Sequence, residues 1–202
     1  MKIAILVEGA TETAFKPILL DFLKLRLQQQ MPKLKFISHD GRIPKGDKLQ
    51  RIVDNLLIGK DAFNAVIALT DVYTGTNDFK DAADAKAKMR EWVGNNPNFY
   101  PHVAQHDFEA WLLPYWSIIQ KLAKSNKSAP GGLPEQVNHD KSPSYRIKEI
   151  FEIGKCQNSY SKVRDAGRIL KNQDLMVSVN QCPELKAFIN TVLSLCEVDL
   201  IP

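Results

Sequence analysis

The sequence predicts an α/β protein: a mainly parallel sheet of about four strands flanked by helices, followed by a C-terminal helical region. Three observations lead there. Short apolar runs alternate along the first 124 residues with segments whose apolar side chains recur at helical spacing. The run Ala65 to Thr70, AVIALT, is continuous and β-branched, as expected of a strand covered on both faces. The resulting order, β-α-β-α-β-α-β-α, is that of right-handed crossovers between parallel strands.

Each element has its own warrant. Lys2 to Val7 is an apolar run closed by Glu8-Gly9, a buried first strand. From Thr11, residues Phe15, Ile18, Leu19, Phe22, Leu23 and Leu27 trace a helix that should stop before Pro32. Leu34 to Ser38 is the second strand, and Gly41-Arg-Ile-Pro-Lys-Gly46 a loop. Leu49, Ile52, Val53, Leu56 and Leu57 give a second amphipathic helix. The third strand, Ala65 to Thr70, ends at Asp71. A polar loop, Thr74 to Asp78, leads to an alanine-rich helix from Lys80 to Val93. Tyr100 to Gln105 is the fourth strand, and Phe108 to Leu122 the helix after it. Residues 125–144, rich in Ser, Asn, Pro and Gly, read as a loop or linker between the α/β domain (1–124) and a helical region (145–202) packed on the same core. Pro183 suits the first turn of a final helix.

Composition excludes several classes. No apolar run approaches the roughly 20 residues that span a bilayer. The opening MKIAILVEGATE has too short an apolar stretch, followed by glutamate, for a secretion signal. Cys156, Cys182 and Cys196 include no CxxC pair, so neither a disulfide framework nor a zinc knuckle is indicated. Cytoplasm is the expected location. The net charge of +4 suits a nucleic-acid partner without requiring one. Lysines and arginines are concentrated between Lys121 and Lys171.

Ligands of open parallel sheets bind at the carboxyl ends of the strands. Glu8 closes the first strand, Asp71 closes the third, and Glu109 opens the segment after the fourth. Glu12 lies one helical turn past Glu8, and Asp78 in the loop after Asp71. Carboxylates brought together repel, so either their pKa values rise or a cation neutralises them. Magnesium, or manganese in its place, suits such an all-oxygen site. A metal held there can activate water and stabilise the charge of phosphoryl transfer. Each acid also has a plain structural explanation: Glu12 and Glu109 as favourable charges at helix N-termini, Asp71 as a turn cap. Three acids at equivalent strand ends weigh against coincidence.

His102 and His106, four apart, would share one face of a strand. A zinc pair there lacks nearby cysteines. His106 reads better as a proton shuttle, a phosphate contact or a hydrogen-bonded structural residue. Lys45 and Lys48 flank Gly46 in a loop expected at the same sheet edge, placed for substrate phosphates or for solvent. Lys162, in Tyr160-Ser-Lys162, is within plausible reach of the acids or is an ordinary exposed lysine. Trp111 is expected in the core. GATET lacks the GK[ST] ending of a Walker A loop, which argues against ATP hydrolysis by this chain.

The segment ILVEGATETAF resembles the opening of the Toprim fold, with its glutamate ending the first strand. The longer pattern is ALTDVYTGTNDF followed by HVAQHDFEAWLL, with SYSKVRDA and CPELKAFI near the C-terminus. It is similar to domain-of-unknown-function family 4276. The resemblance implies a Toprim-like, Rossmannoid nuclease domain related to those of overcoming-lysogenization-defect (OLD) proteins. It also implies a role in anti-phage defence beside an ABC-type ATPase, as in PARIS-type systems. Glu8 matches the Toprim glutamate and Asp71 the first aspartate of its DxD motif. Tyr73 stands where the second aspartate belongs, so Asp78 or Glu109 would have to supply the missing oxygen.

These readings converge on a magnesium-dependent phosphodiesterase acting on RNA or DNA. Glu8, Asp71 and Glu109, with Glu12 and Asp78, would hold metal; His106, Lys45, Lys48 and Lys162 would serve substrate. Two alternatives stand beside it. One is a non-catalytic, Toprim-derived subunit that binds an ATPase, which Tyr73 favours; the other is an enzyme on small phosphates. The oligomeric state, a homodimer included, is open.

Overall fold

Four strands hydrogen-bond in the order β2-β1-β3-β4, all parallel, in a computed structural model that describes residues 1–39, 41–72, 79–137, 141–155 and 159–202, the side chains of 10–13 excepted. The strands are β1 (Lys2–Val7), β2 (Lys33–Ser38), β3 (Ala65–Val72) and β4 (Phe99–Gln105). β3 runs two residues further than its apolar run suggests, because Asp71 and Val72 continue the ladder to Ala104 and Gln105. Helices α1 (Ala10–Leu27), α2 (Gly46–Leu57) and α3 (Ala82–Val93) make the three crossovers.

Side chains alternate between the two sheet faces. Ile3, Ile5, Val7, Ile67 and Leu69 join a core with α1 and the C-terminal helices. Ala4, Leu6, Val66, Ala68, Val72 and Val103 join a second core with α2 and α3. By the same alternation Glu8 and Thr70 fall on the α2/α3 side, and Asp71 on the α1 side. β1 has β2 on one side and β3 on the other, so the chain reverses direction between β1 and β3. That reversal is the crevice where such sheets bind ligands, and Glu8 and Asp71 flank it.

The segment after β4 differs from the expected helix. Phe108–Tyr115 is a 3₁₀ helix, and α4 occupies only Trp116–Ala123. Pro114 sits inside the 3₁₀ stretch, and every residue from Phe108 to Leu113 is buried. A segment enclosed on all sides takes its geometry from its neighbours, and an eight-residue 3₁₀ run is unusual enough to mark strain or function. His106 (φ 71°) and Asp107 (φ 135°) turn the chain into it.

The C-terminal region is helical as expected, with four helices among the described residues: α5 (Pro143–Ile153), α6 (Lys162–Leu170), α7 (Met176–Val179) and α8 (Pro183–Leu195). Pro183 does occupy the first turn of α8. These helices share the larger core with the sheet, where Phe15, Phe108, Trp111 and Phe188 meet in ring contacts. Between α4 and α5, the chain is tied down at Glu135. Glu135 is buried, and its carboxylate accepts from Trp111 Nε1 (2.9 Å) and from the Glu184 (3.0 Å) and Leu185 (3.3 Å) amides opening α8. Burial raises the Glu135 pKa despite these bonds. Cys182 and Cys196 are free thiols; Cys156 lies outside the described residues. Among the described residues no helix is long and apolar enough to cross a membrane.

Candidate functional site

Strand geometry brings Glu8 and Asp71 together at the β1/β3 edge. Glu8 is buried; its Oε1 accepts from the Thr70 hydroxyl and from the Asp71 amide (3.2 Å). Two strand ends are thereby tied by one carboxylate oxygen. A narrow cleft at this edge is lined by Glu8, Asp71, Arg42, Lys45, Phe79 and Trp92. Its open volume, about 10 Å³, is close to the least that admits one water-sized particle.

Asp107 and Glu109 form the second half of the site, and both are fully buried. Glu109 accepts from Tyr160 (Oη to Oε1, 3.2 Å) and from Lys162 (Nζ to Oε2, 3.2 Å). α6 therefore delivers Lys162 across 53 residues of sequence, with 44% of its side chain still exposed. Burial alone would lower the Lys162 pKa, but the negative charges of Glu109, Asp107 and Asp71 outweigh it and raise it. The same lysine thus feels both halves of the site. Burial, then Glu109, raises the Tyr160 pKa, so its hydroxyl stays a donor.

Asp107 was not apparent as a candidate from spacing. Its Oδ2 accepts from the Ser144 amide (3.3 Å) at the start of α5, while Oδ1 is buried and accepts no hydrogen bond among the described residues. Burial first, then repulsion from Glu109, pushes its pKa up to about 7, against the opposing pull of Ser144 and Lys162. The one visible signal was an acid inside the apolar run that follows β4.

The remaining predicted residues separate. His102 packs edge-on to Phe188 and shares a 2.9 Å hydrogen bond with Thr191 Oγ1. That hydroxyl donates its own proton to Ala187 O, so the imidazole donates through Nε2–H. Burial, with Lys86 and Arg90 nearby, lowers the His102 pKa to about 3. It is a neutral structural residue. His106 lies past the end of β4 at positive φ, so the two histidines do not share a strand face, and burial lowers its pKa too. Lys45 lines the cleft, its ammonium 5.8 Å from the Phe79 ring. Lys48 faces His39, whose pKa is lowered by burial and then by this lysine. Asp78 and Tyr73, and the side chain of Glu12, lie outside the described residues.

The donor chemistry suits a hard divalent cation: the carboxylates of Glu8 and Asp71 and a buried Asp107 oxygen that accepts no hydrogen bond among the described residues. Among the described residues, however, no three acidic, histidine or cysteine side chains are arranged to hold one ion. Glu8 and Asp71 form one pair, and Glu109 is engaged by Lys162 and Tyr160.

Fold and site together define a Toprim-like α/β protein with an acidic carboxyl edge. The chain belongs to the family described as Domain of unknown function (DUF4276), which it matches over residues 7–193. Among solved structures it is similar to the C-terminal region of the Burkholderia pseudomallei OLD protein (15% identity, TM-score 0.54, 96% of each chain covered). It is also similar to the C-terminal region of the Xanthomonas campestris pv. campestris OLD protein (16% identity, TM-score 0.48, 96% of this chain and 90% of that chain). The first likeness supports the same fold. A comparison with curated proteins gives no match.

Proposed function

We propose that this chain is a divalent-metal-dependent nuclease of the Toprim-like type, hydrolysing phosphodiester bonds in RNA or DNA. Its setting would be cytoplasmic anti-phage defence beside an ABC-type ATPase. The observation that carries the reading is the buried acidic edge, where Asp71, whose amide binds Glu8, and the Asp107–Glu109 pair act on one lysine, Lys162. Magnesium or manganese would be held by Glu8 and Asp71, with Glu12 and Asp78 as accessory ligands and Glu109 joining them on release from Lys162. The ion, when bound, supplies charge neutralisation and an activated water.

This chain's own residues do the rest. The Thr70 hydroxyl and the Asp71 amide fix the Glu8 carboxylate, so its position is set before substrate arrives. Lys162 offsets the charge of Glu109 and keeps part of its side chain in solvent, where a phosphate oxygen can reach its ammonium. Lys45, in the lining of the cleft beside Glu8 and Asp71, is a second cation at this edge. Tyr160 holds Glu109 in place, and Asp107, with its raised pKa, is poised to hold or release a proton near neutrality.

The test is cleavage of RNA and DNA with Mg²⁺ or Mn²⁺, comparing wild type with Glu8→Ala. Cleavage lost in the variant supports the assignment; equal cleavage by both proteins overturns it. A second reading, a non-catalytic subunit docked on an ATPase, is favoured by Tyr73 at the DxD position and by the engagement of Glu109 with Lys162. Stable co-purification with the ATPase, with no metal-dependent cleavage by the assembled complex, selects that reading.

A further inference from the structure

A second cavity lies away from the acidic edge. It holds about 380 Å³ between the start of α4, residues 127–132 and one side of α5. That volume is within the range of small-molecule sites. The cavity has a mixed lining: Trp116, Pro130 and Val137 are apolar, while Lys127, Arg146 and Glu149 are charged.

Charge and shape both select a ligand. Lys127 Nζ lies 2.5 Å and Lys141 Nζ 3.7 Å from the Glu149 carboxylate. The Lys127 hydrogen bond, then the charges of Lys127, Lys141 and Arg146, hold the Glu149 pKa below its usual range. Among the described residues three cations thus gather around one carboxylate, a setting that suits an anionic ligand. Convergent Lys and Arg side chains suit a phosphate, which takes several charge-assisted hydrogen bonds. The backbone is also open to a ligand at Gly131 and Gly132, where an added Cβ would meet no atom within 4 Å.

The wall is held in place beforehand. Trp116 Nε1 (2.8 Å) and Gln120 Nε2 (3.0 Å) both donate to the Lys127 carbonyl, fixing the segment that carries the lysine. An indole beside a proline and a valine makes a surface for a planar, weakly polar ring. Glu149, held by cations, is an acceptor for sugar hydroxyls.

We propose that this cavity binds a mononucleotide, its base against Trp116, Pro130 and Val137 and its phosphate on Lys127 and Arg146. The site goes beyond the nuclease reading and does not rest on it. α5 nonetheless connects the two, since its first turn gives the Ser144 amide to Asp107 and its next turns give Arg146 and Glu149 to the cavity.

Calorimetric titration of the whole chain, with chelator present, tests this. The titrants are AMP, GMP, CMP, UMP, adenosine and inorganic phosphate. The proteins are wild type, Arg146→Gln, Lys127→Gln and Glu8→Ala, each checked by thermal melting. At least one mononucleotide should bind wild type and Glu8→Ala alike, more tightly than adenosine or phosphate. Arg146→Gln and Lys127→Gln should each weaken it about tenfold. The inference is overturned if no mononucleotide binds, if phosphate alone binds as well, or if the folded variants bind like wild type. Binding lost in Glu8→Ala overturns it too, since the ligand then sits at the acidic edge.

Discussion

Replacing Lys162 with methionine keeps the aliphatic stem and removes the ammonium 3.2 Å from the fully buried Glu109 carboxylate. At an effective dielectric constant near 20, a charge pair at that distance interacts by roughly 5 kcal/mol before desolvation. Breaking a fully buried pair costs about 3–5 kcal/mol. Lys162 retains 44% of its side-chain surface, so solvent screens part of this, and a loss of about 2–3 kcal/mol is expected. Glu109→Gln should cost less, about 1 kcal/mol, because the freed lysine can turn to water while the amide still accepts from Tyr160. The double variant should be no worse than Lys162→Met, giving a coupling energy of about 1–2 kcal/mol. Urea unfolding of the four proteins, with chelator present so that no cation replaces the ammonium, measures it. Losses that add to within about 0.5 kcal/mol would refute the view that Lys162 neutralises Glu109.

Gly154 and Gly167 should respond oppositely to alanine. A Cβ at Gly154 would overlap the Ala123 carbonyl oxygen, so Gly154→Ala should lose about 3 kcal/mol or more in urea unfolding. Gly167, inside α6 with no atom within 4 Å of an added Cβ, should gain about 0.5–1 kcal/mol as alanine. His102 sets a pH dependence: its folded pKa of about 3 lies below the usual 6.5, so the unfolded chain binds a proton that the folded one refuses. Its contribution is intact above about pH 6.5 and falls as pH drops toward 3; between pH 7 and 5 wild type should lose ~2 kcal/mol more than His102→Gln.

The strand ends carrying Glu8 and Asp71 were readable because a buried parallel strand writes itself as an unbroken apolar run, and a carboxylate marks where that run stops. Glu109 was named only for its place just after the fourth strand; it is fully buried in the 3₁₀ segment. Asp107 was not: its burial depends on the left-handed turn at His106 and Asp107 and on Ser144, 37 residues away. The 3₁₀ helix was hidden because FEAWLLPY is buried on every side, which removes the periodicity that distinguishes one helix from another. Lys162 could be named as a lysine near a conspicuous motif, but only the packing of α6 brings it to Glu109. Glu135 carries no local mark at all; its partners are Trp111 and the first turn of α8.

The central claim is that the acidic edge takes up a divalent cation. Manganese binding, followed by paramagnetic resonance of the free ion during titration, tests it without requiring a substrate. Wild type should bind Mn²⁺, and Glu8→Gln and Asp71→Asn should each weaken binding about tenfold or more while melting like wild type. Undiminished Mn²⁺ uptake by both folded variants, or none by wild type, would contradict it.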